Sequence, residues 1–321
     1  MVRKVQRRRE SRRDRLVRRM ALLRVVLQHP QNRSHGLRAL GRMIGWQLWR
    51  RLIGKPVTYR FWESLRVRVY PDWPYSWTAI YLGLPEYDEM LFALRYLRPG
   101  DAIVDVGANI GFYSLLGSSV NGGAPVLAFE PHPLASARLR ENAALNAFSN
   151  IQIRPMAVGD RSTTARLTRE LADENRIEVN ALSDEPTVPV RVVTMDSELS
   201  RLQIDPAQVR LVKVDTEGFE ARVLGGAGLL LTQDPGPVWL VELTGLGDRY
   251  GCGDEAVCEI FRKHGMRAFR YSAEEDRLSP CDPLEGPHGN VIFMRPSLVT
   301  AVRARLRAAS RRPPIARGDA A

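Results

Sequence analysis

Asp101-Ala-Ile-Val-Asp-Val-Gly-Ala-Asn-Ile-Gly111, running directly into Phe112-Tyr-Ser-Leu-Leu116, is the stretch whose reading decides the fold. Ala102 to Val106 is a short apolar run bounded by a Pro-Gly-Asp turn, the pattern of a strand buried on both faces. Gly107 and Gly111 then bracket Asn109, and the residues beyond start a helix. Strand, glycine turn, helix is how a doubly wound sheet presents backbone N–H groups to a nucleotide-like ligand. Such a turn alone is a weak signal, and its meaning rests on what stands downstream.

The pattern after it alternates strand and helix. Apolar runs at Val126–Phe129, Ile151–Val158, Arg210–Val214, Val238–Val241, Met266–Tyr271 and Asn290–Met294 bring the expected strand count to seven. Helices are expected at 134–146 and 220–231, with another from Pro85 to about Leu97, so the class is α/β with a mainly parallel sheet and helices on both faces. Residues 161–195 break the rhythm, with a strand pair (Thr164–Thr168, Val188–Val193) flanking a charged loop, and read as an insertion. Thr58 to Tyr70 reads as a strand with one wet face, because Leu65, Val67 and Val69 alternate with Arg66, Arg68 and Tyr70.

In an open α/β sheet a ligand sits outside the carboxyl ends of the strands. Four strand ends carry an acid or lead to one: Asp105, Glu130, Asp215 and Glu242. Glu130 lies 19 residues past Gly111, the spacing at which an acid takes ribose hydroxyls. The first turn, however, has Asn109 where a dinucleotide fold places its second glycine. Asp105 with Asn109 offers both donors and acceptors, which suits a ligand carrying an amino acid. That combination points to S-adenosylmethionine rather than NAD.

Asp-Val-Gly-Ala-Asn-Ile-Gly-Phe-Tyr-Ser (105–114), Ala-Phe-Glu-Pro-His-Pro (128–133), Ala-Val-Gly-Asp (157–160) and Val-Lys-Val-Asp-Thr-Glu-Gly-Phe-Glu (212–220) together resemble the FkbM family of methyltransferases over roughly residues 85–245. Asn142, Asn146 and Thr194-Met-Asp196 fit further elements of its pattern. The resemblance implies a Rossmann-like class I methyltransferase fold with an antiparallel last strand. It also implies methyl transfer from S-adenosylmethionine to a hydroxyl of a sugar, glycan or secondary metabolite. Carried onto this chain, the cofactor contacts are Asp105, Gly107, Ala108, Asn109, Gly111, Glu130, Val158, Asp160 and Asp215. The catalytic face is expected at Asp215, Glu217 and Glu242, with Glu217 or Glu242 as general base. Gly218 is read as a tight turn beside the ligand, Glu220 as compensation of a helix dipole, and Lys213 as either an ion pair or a site residue. His132 is assigned to the surface or the adenine edge. No cluster has metal-ligand spacing, so no metal is expected.

The net charge of +11 is unevenly placed: residues 1–60 carry +16 and the remainder −5. The basic character therefore belongs to an appendage, and the expected division is a basic amphipathic extension (1–56), the methyltransferase domain (57–296) and an Arg-rich tail (297–321). Residues 3–19 are expected to be irregular at the start. Leu16, Met20, Leu23 and Leu27 form one helical stripe, and Leu37, Leu40, Ile44, Leu48 and Leu52 a second. Residues 16–53 could lie on an anionic membrane, pack on the domain, or meet a second copy in a homodimer. The mildly acidic body disfavours nucleic acid, leaving an RNA-directed enzyme using the Arg-rich arm as the alternative. Cys252, Cys258 and Cys281 suggest neither a disulfide framework nor zinc. With no bilayer-length apolar run, the expected location is the cytoplasm or the inner membrane face. Acceptor specificity is expected in 161–195, Tyr75–Tyr87 and the 244–256 loop.

Overall fold

The computed structural model describes residues 12–168, 176–178, 186–285 and 288–310. Two helices lead: α1 (Arg12–Gln28) and α2 (Gly36–Leu52). A hairpin follows, β1 (Val57–Trp62) and β2 (Leu65–Val69), and then α3 (Pro74–Leu82) and α4 (Tyr87–Tyr96). The central part runs β3 (Ala102–Val106), α5 (Phe112–Val120), β4 (Val126–Phe129), α6 (Pro133–Leu145), β5 (Ile151–Arg154) and β6 (Ala157–Val158). Next come β7 (Thr163–Thr168), β8 (Ile177–Glu178), β9 (Thr187–Val193), α7 (Met195–Arg201), β10 (Val209–Val214), α8 (Glu220–Gly225) and α9 (Gly228–Thr232). The chain closes with β11 (Val238–Leu243), α10 (Asp254–Lys263), β12 (Arg267–Ser272), β13 (Arg277–Pro280), β14 (Gly289–Met294) and α11 (Val299–Ser310).

The main sheet has the order β13-β12-β14-β11-β10-β3-β4-β5. β5, β4, β3, β10 and β11 are parallel, and β14 inserts antiparallel between β11 and β12. This is the class I methyltransferase order, including the antiparallel last strand. It has eight strands rather than the seven expected, because the Glu274–Asp276 turn folds β13 back onto the edge of β12. Side chains alternate between two cores, as the strand period requires. Ile103, Ala128, Leu211 and Leu240 face one core with α4, α5, α6 and α11. Val104, Leu127, Val212 and Trp239 face the other with α7 to α10.

Three expectations are corrected. Ile151–Val158 is not one strand: it breaks at Pro155, which has no N–H for a ladder, and Ala157–Val158 pairs instead with β9 in a second sheet. The expected helix at 220–231 is two short helices separated at Gly226-Ala227. Thr58–Tyr70 is a hairpin rather than one strand, turning at Glu63. The expectation for the start of the Arg-rich segment 3–19 falls on residues 1–11, outside those described, and helix α1 begins at Arg12.

The leading helices are anchored on α3. Asn32 Nδ2 donates to Val26 O and Tyr81 O at 2.8 Å each, Arg42 Nε donates to Ile80 O at 3.0 Å, and Trp46 packs against Trp77. The α2 face that does this carries Ala39 and Trp46, opposite to the leucine stripe read from the sequence. α3 is itself a wall of the cavity described next. The tail helix α11 buries Val302 and Leu306, and its Arg305 pairs with Asp101.

Candidate active site

β3 has β4 on one side and β10 on the other, so the strand order reverses at β3–β10 and a crevice opens there. In register, Lys213 lies beside Asp105 and Val214 beside Val106. The crevice is a cavity of about 1200 Å³, its open mouth included. Asp105, Gly107, Ala108, Asn109, Glu130 and Val158 line it, together with Asp215, Glu217 and Glu242. Gly111 and Asp160 do not. Gly111 is the N-cap of α5 and lies against Leu139, while Asp160 points to the surface and pairs with Arg222 at 2.7 Å.

The carboxylate expected to take the ribose, Glu130, is held by two backbone amides. Glu130 Oε2 accepts from Asn109 N at 2.7 Å and Oε1 from His132 N at 2.8 Å. It is 7% exposed, and burial pushes its pKa up to about 7 despite those two bonds. Asn109 adopts φ +50°, a conformation Asn tolerates better than most residues, and its Oδ1 accepts from Trp73 Nε1 at 3.0 Å. Asp105 is buried, accepts from Ser114 Oγ, and is raised to about 6, chiefly by burial. His132 is not a surface residue: it is buried, its Nδ1 accepts from Ala135 N to cap α6, and its ring packs on Trp73.

Two glycines read as ligand contacts have another cause. A Cβ at Gly107 would lie 1.7 Å from Asp215 O, so the glycine lets β3 and β10 close together. A Cβ at Gly218 would come within 2.7 Å of Leu246 backbone, so its close approach is to the 244–256 loop. Asn142 and Asn146 act at a distance from the cavity, accepting from Arg68 N and Arg66 N and so tying β2 to α6. Thr194 caps α7, and Asp196 accepts from Leu229 N at the start of α9.

The opposite wall is a linked set of acids around one cation. Lys213 Nζ donates to Asn290 Oδ1 at 2.7 Å and lies 3.4 Å from Asp215 Oδ2. Burial disfavours its charge, but the surrounding acids, Asp215 foremost, more than offset this and keep it protonated. Burial and the adjacent Asp215 push the Glu242 carboxyl well above the carboxylate range. Glu242 and Asp215 therefore hold a proton between them more readily than isolated carboxyls do, which counts against Glu242 as the base. Glu217 lies on the β10–α8 loop at φ +56° and lines the same cavity. Glu220 fixes that loop by accepting from Thr216 N at 2.9 Å and Gly218 N at 3.1 Å, the amides on either side of Glu217.

Sequence reasoning missed Glu86, at the N-terminus of α4. It accepts from Tyr113 OH at 2.7 Å and Asn290 Nδ2 at 2.6 Å, and it faces the same cavity. Tyr75 on α3 and Leu167, Arg176 and Ile177 of the insertion complete the walls. Among the described residues, 244–256 contributes none of the lining.

This cavity fits S-adenosylmethionine. Six carboxylates against Lys213 and Arg176 suit a ligand bearing a sulfonium and an ammonium. Phe129, Met156, Val158, Leu167 and Ile177 give the Glu130 end an apolar surface suited to a purine. Asp105, Asn109, Glu130 and Asp215 are the polar groups that would hold the cofactor.

Residues 105–268, about half of the chain, match the model of the methyltransferase FkbM domain. A stretch of 72 residues is 42% identical to the 31-O-demethyl-FK506 methyltransferase FkbM of Streptomyces tacrolimicus, spanning 22% of this chain and 27% of that protein. Over 148 residues the chain is 27% identical to Methyltransferase 1 of Beauveria bassiana, spanning 40% and 59% of the two. The chain thus spans less than two thirds of the length of these curated relatives. The crystal structure of methyltransferase FkbM from Methylobacillus flagellatus KT aligns over 68% of this chain and 52% of that one, at 15% identity and a TM-score of 0.38. On the domain match, the motifs and the strand order, the chain belongs to the FkbM family of S-adenosylmethionine-dependent methyltransferases.

Proposed function

We propose that this protein transfers a methyl group from S-adenosylmethionine to a hydroxyl of a small-molecule or glycan acceptor. The observation that carries the reading is one cavity lined both by Glu130, the acid expected to take the ribose, and by Glu86, Asp215, Glu217 and Glu242. A relative named for 31-O-demethyl-FK506, an acceptor lacking a methyl on oxygen, supports a hydroxyl as the target.

When bound, the cofactor supplies a methyl group already activated by its sulfonium. The chain's own work is then to hold an acceptor oxygen in line and exclude water, worth roughly 7–11 kcal/mol. A hydroxyl is a poor nucleophile until its proton is leaving, and a placed carboxylate adds about 10²–10⁴-fold. We assign that base to Glu217, which lines the cavity on a turn whose two flanking amides are held by Glu220. Glu220 serves as its positioning residue through the two flanking amides. Lys213, Asn290, Glu86 and Tyr113 form a fixed wall against which an acceptor can be oriented. A wall so rich in acids opposes the phosphates of RNA, and among the described residues no arginine of α1 or α2 lines the cavity.

The test is transfer of tritiated methyl from S-adenosylmethionine to hydroxylated glycan and metabolite pools, with RNA as a parallel acceptor. The expected product is an alkali-stable methyl ether on a non-nucleic-acid acceptor. Label found only in ribonuclease-sensitive material, or released as methanol by mild alkali, would refute the assignment.

A further inference from the structure

We propose that the outward face of α2 is a docking surface for an anionic lipid bilayer. At 100° per residue, Leu37, Ile44, Leu48 and Leu52 fall within about 80° of one another, and the buried Ala39 and Trp46 lie on the far side. The four are 86%, 56%, 51% and 80% exposed. Gly41 and Gly45 sit among them with open space where a Cβ would be. Helices normally bury such a stripe. Here the opposite face is committed to α3 through Trp46–Trp77, Arg42–Ile80 and Gln47–Tyr81. Among the described residues, nine of the twelve large exposed apolar side chains fall between Met20 and Ile53, so the exposure is one region rather than scatter.

Charge decides what covers it. From Arg15 to Trp62 the chain has eleven basic residues and no acid. Arg38 and Arg51 flank the stripe, both exposed, with no ion pair among the described residues, and Lys55 follows. A second copy meeting this face would set these cations against their own kind without a carboxylate in reach. A phosphate headgroup layer meets them with opposite charge, and the leucines enter the acyl boundary below it. Trp49, at the edge of the stripe with its Nε1 donating to Lys55 O at 2.9 Å, suits the headgroup level. The helix is 17 residues long, contains Arg38 and Arg42 and is packed along one side, so it lies on a bilayer and does not cross it. α3, which carries α2 on one side, presents Trp73 and Tyr75 to the cavity on another. The lipid surface is thus one helix layer from the acceptor wall.

The test is sedimentation of the full chain with phosphatidylcholine vesicles, with and without phosphatidylglycerol. Wild-type protein is expected on the anionic vesicles and largely absent from the neutral ones. Ile44→Glu combined with Leu48→Glu should weaken that partition at least about tenfold. Arg38→Gln with Arg51→Gln should weaken it by about 25-fold, each basic residue near the surface being worth roughly fivefold. S-adenosylhomocysteine affinity, unchanged in both variants, certifies the fold. Equal vesicle binding by wild type and Ile44→Glu/Leu48→Glu overturns the proposal. So does a wild-type chain that ignores anionic vesicles, whether monomeric or in a dimer that the same variant dissociates.

Discussion

Replacing Glu130 by Gln separates what this carboxylate costs the empty fold from what it contributes to holding a ribose. Burial moves its pKa from 4.5 to about 7. A raised carboxylate means that, between those two values, the folded chain keeps a proton the unfolded chain has lost. Its contribution to stability is therefore unfavourable, growing as pH rises through that window and constant above it. At 1.36 kcal/mol per unit this amounts to about 3 kcal/mol above pH 7. Gln removes the charge but has one acceptor oxygen, whereas Glu130 accepts from Asn109 N and His132 N on separate oxygens. One charge-assisted bond, worth about 1.5–3 kcal/mol, is lost, and a buried N–H is left facing an NH₂. At pH 8 the two effects nearly offset. Toward pH 4.5 the wild type regains its 3 kcal/mol and the variant does not.

Cofactor binding has the opposite sign. The ionised carboxylate accepts ribose hydroxyls, so affinity rises as pH climbs through about 7. Isothermal titration with S-adenosylhomocysteine from pH 5.5 to 8.5 should show wild type losing about tenfold per unit below 7, relative to Glu130→Gln. At pH 8 the variant should bind about 10²-fold more weakly, the equivalent of one or two charge-assisted bonds. Asp105, raised to about 6, and Glu89, raised to about 7, titrate in both proteins and cancel in the difference. Equal pH slopes, or a variant within about threefold of wild type at pH 8, would refute the ribose assignment.

Glu217→Gln should lower kcat by about 10²–10⁴ while S-adenosylhomocysteine affinity stays nearly intact; full turnover, or loss of turnover in Glu242→Gln instead, removes Glu217 as the base. Gly107→Ala, which drives a Cβ into Asp215 O at a φ of +81°, should cost about 2–4 kcal/mol in urea unfolding. Gly45→Ala, with open space around it inside α2, should instead stabilise by about 0.5–1 kcal/mol. An unchanged urea midpoint for Gly107→Ala would show that the strands can part without penalty. Asp160→Asn should shift stability by less than about 1 kcal/mol and leave cofactor affinity alone, because its partner is Arg222 at the surface; a tenfold loss of affinity would return Asp160 to the site.

The part of the cavity lined by Asp105, Asn109 and Glu130 was legible because its parts are local. Asp105, Asn109 and Glu130 are placed by their own strands and turns, so spacing along the chain stands in for spacing in the fold. Where that link breaks, the reading breaks. Asp160 has the right place in a motif, but Pro155 sends the chain into a second sheet and turns the side chain toward α8. α3 is apolar on nearly all sides and offers no helical period, so a cavity wall was read as a connection. The α2 periodicity marked an apolar face correctly but not its direction, which Trp46, Arg42 and Gln47 decide by fastening the other side. The acceptor half depends on such long-range decisions throughout. Glu86 and Asn290 are 204 residues apart in sequence and 2.6 Å apart in the fold. In the sequence Glu217 is the first candidate base and Glu242 the second, each an acid at the end of a parallel strand or just beyond it. What separates them is proton affinity, which no spacing encodes. Burial beside Asp215 raises the proton affinity of Glu242, while Glu220 holds the Glu217 turn from both sides, and it is this contrast that supports proposing the positioned carboxylate, Glu217, as the base.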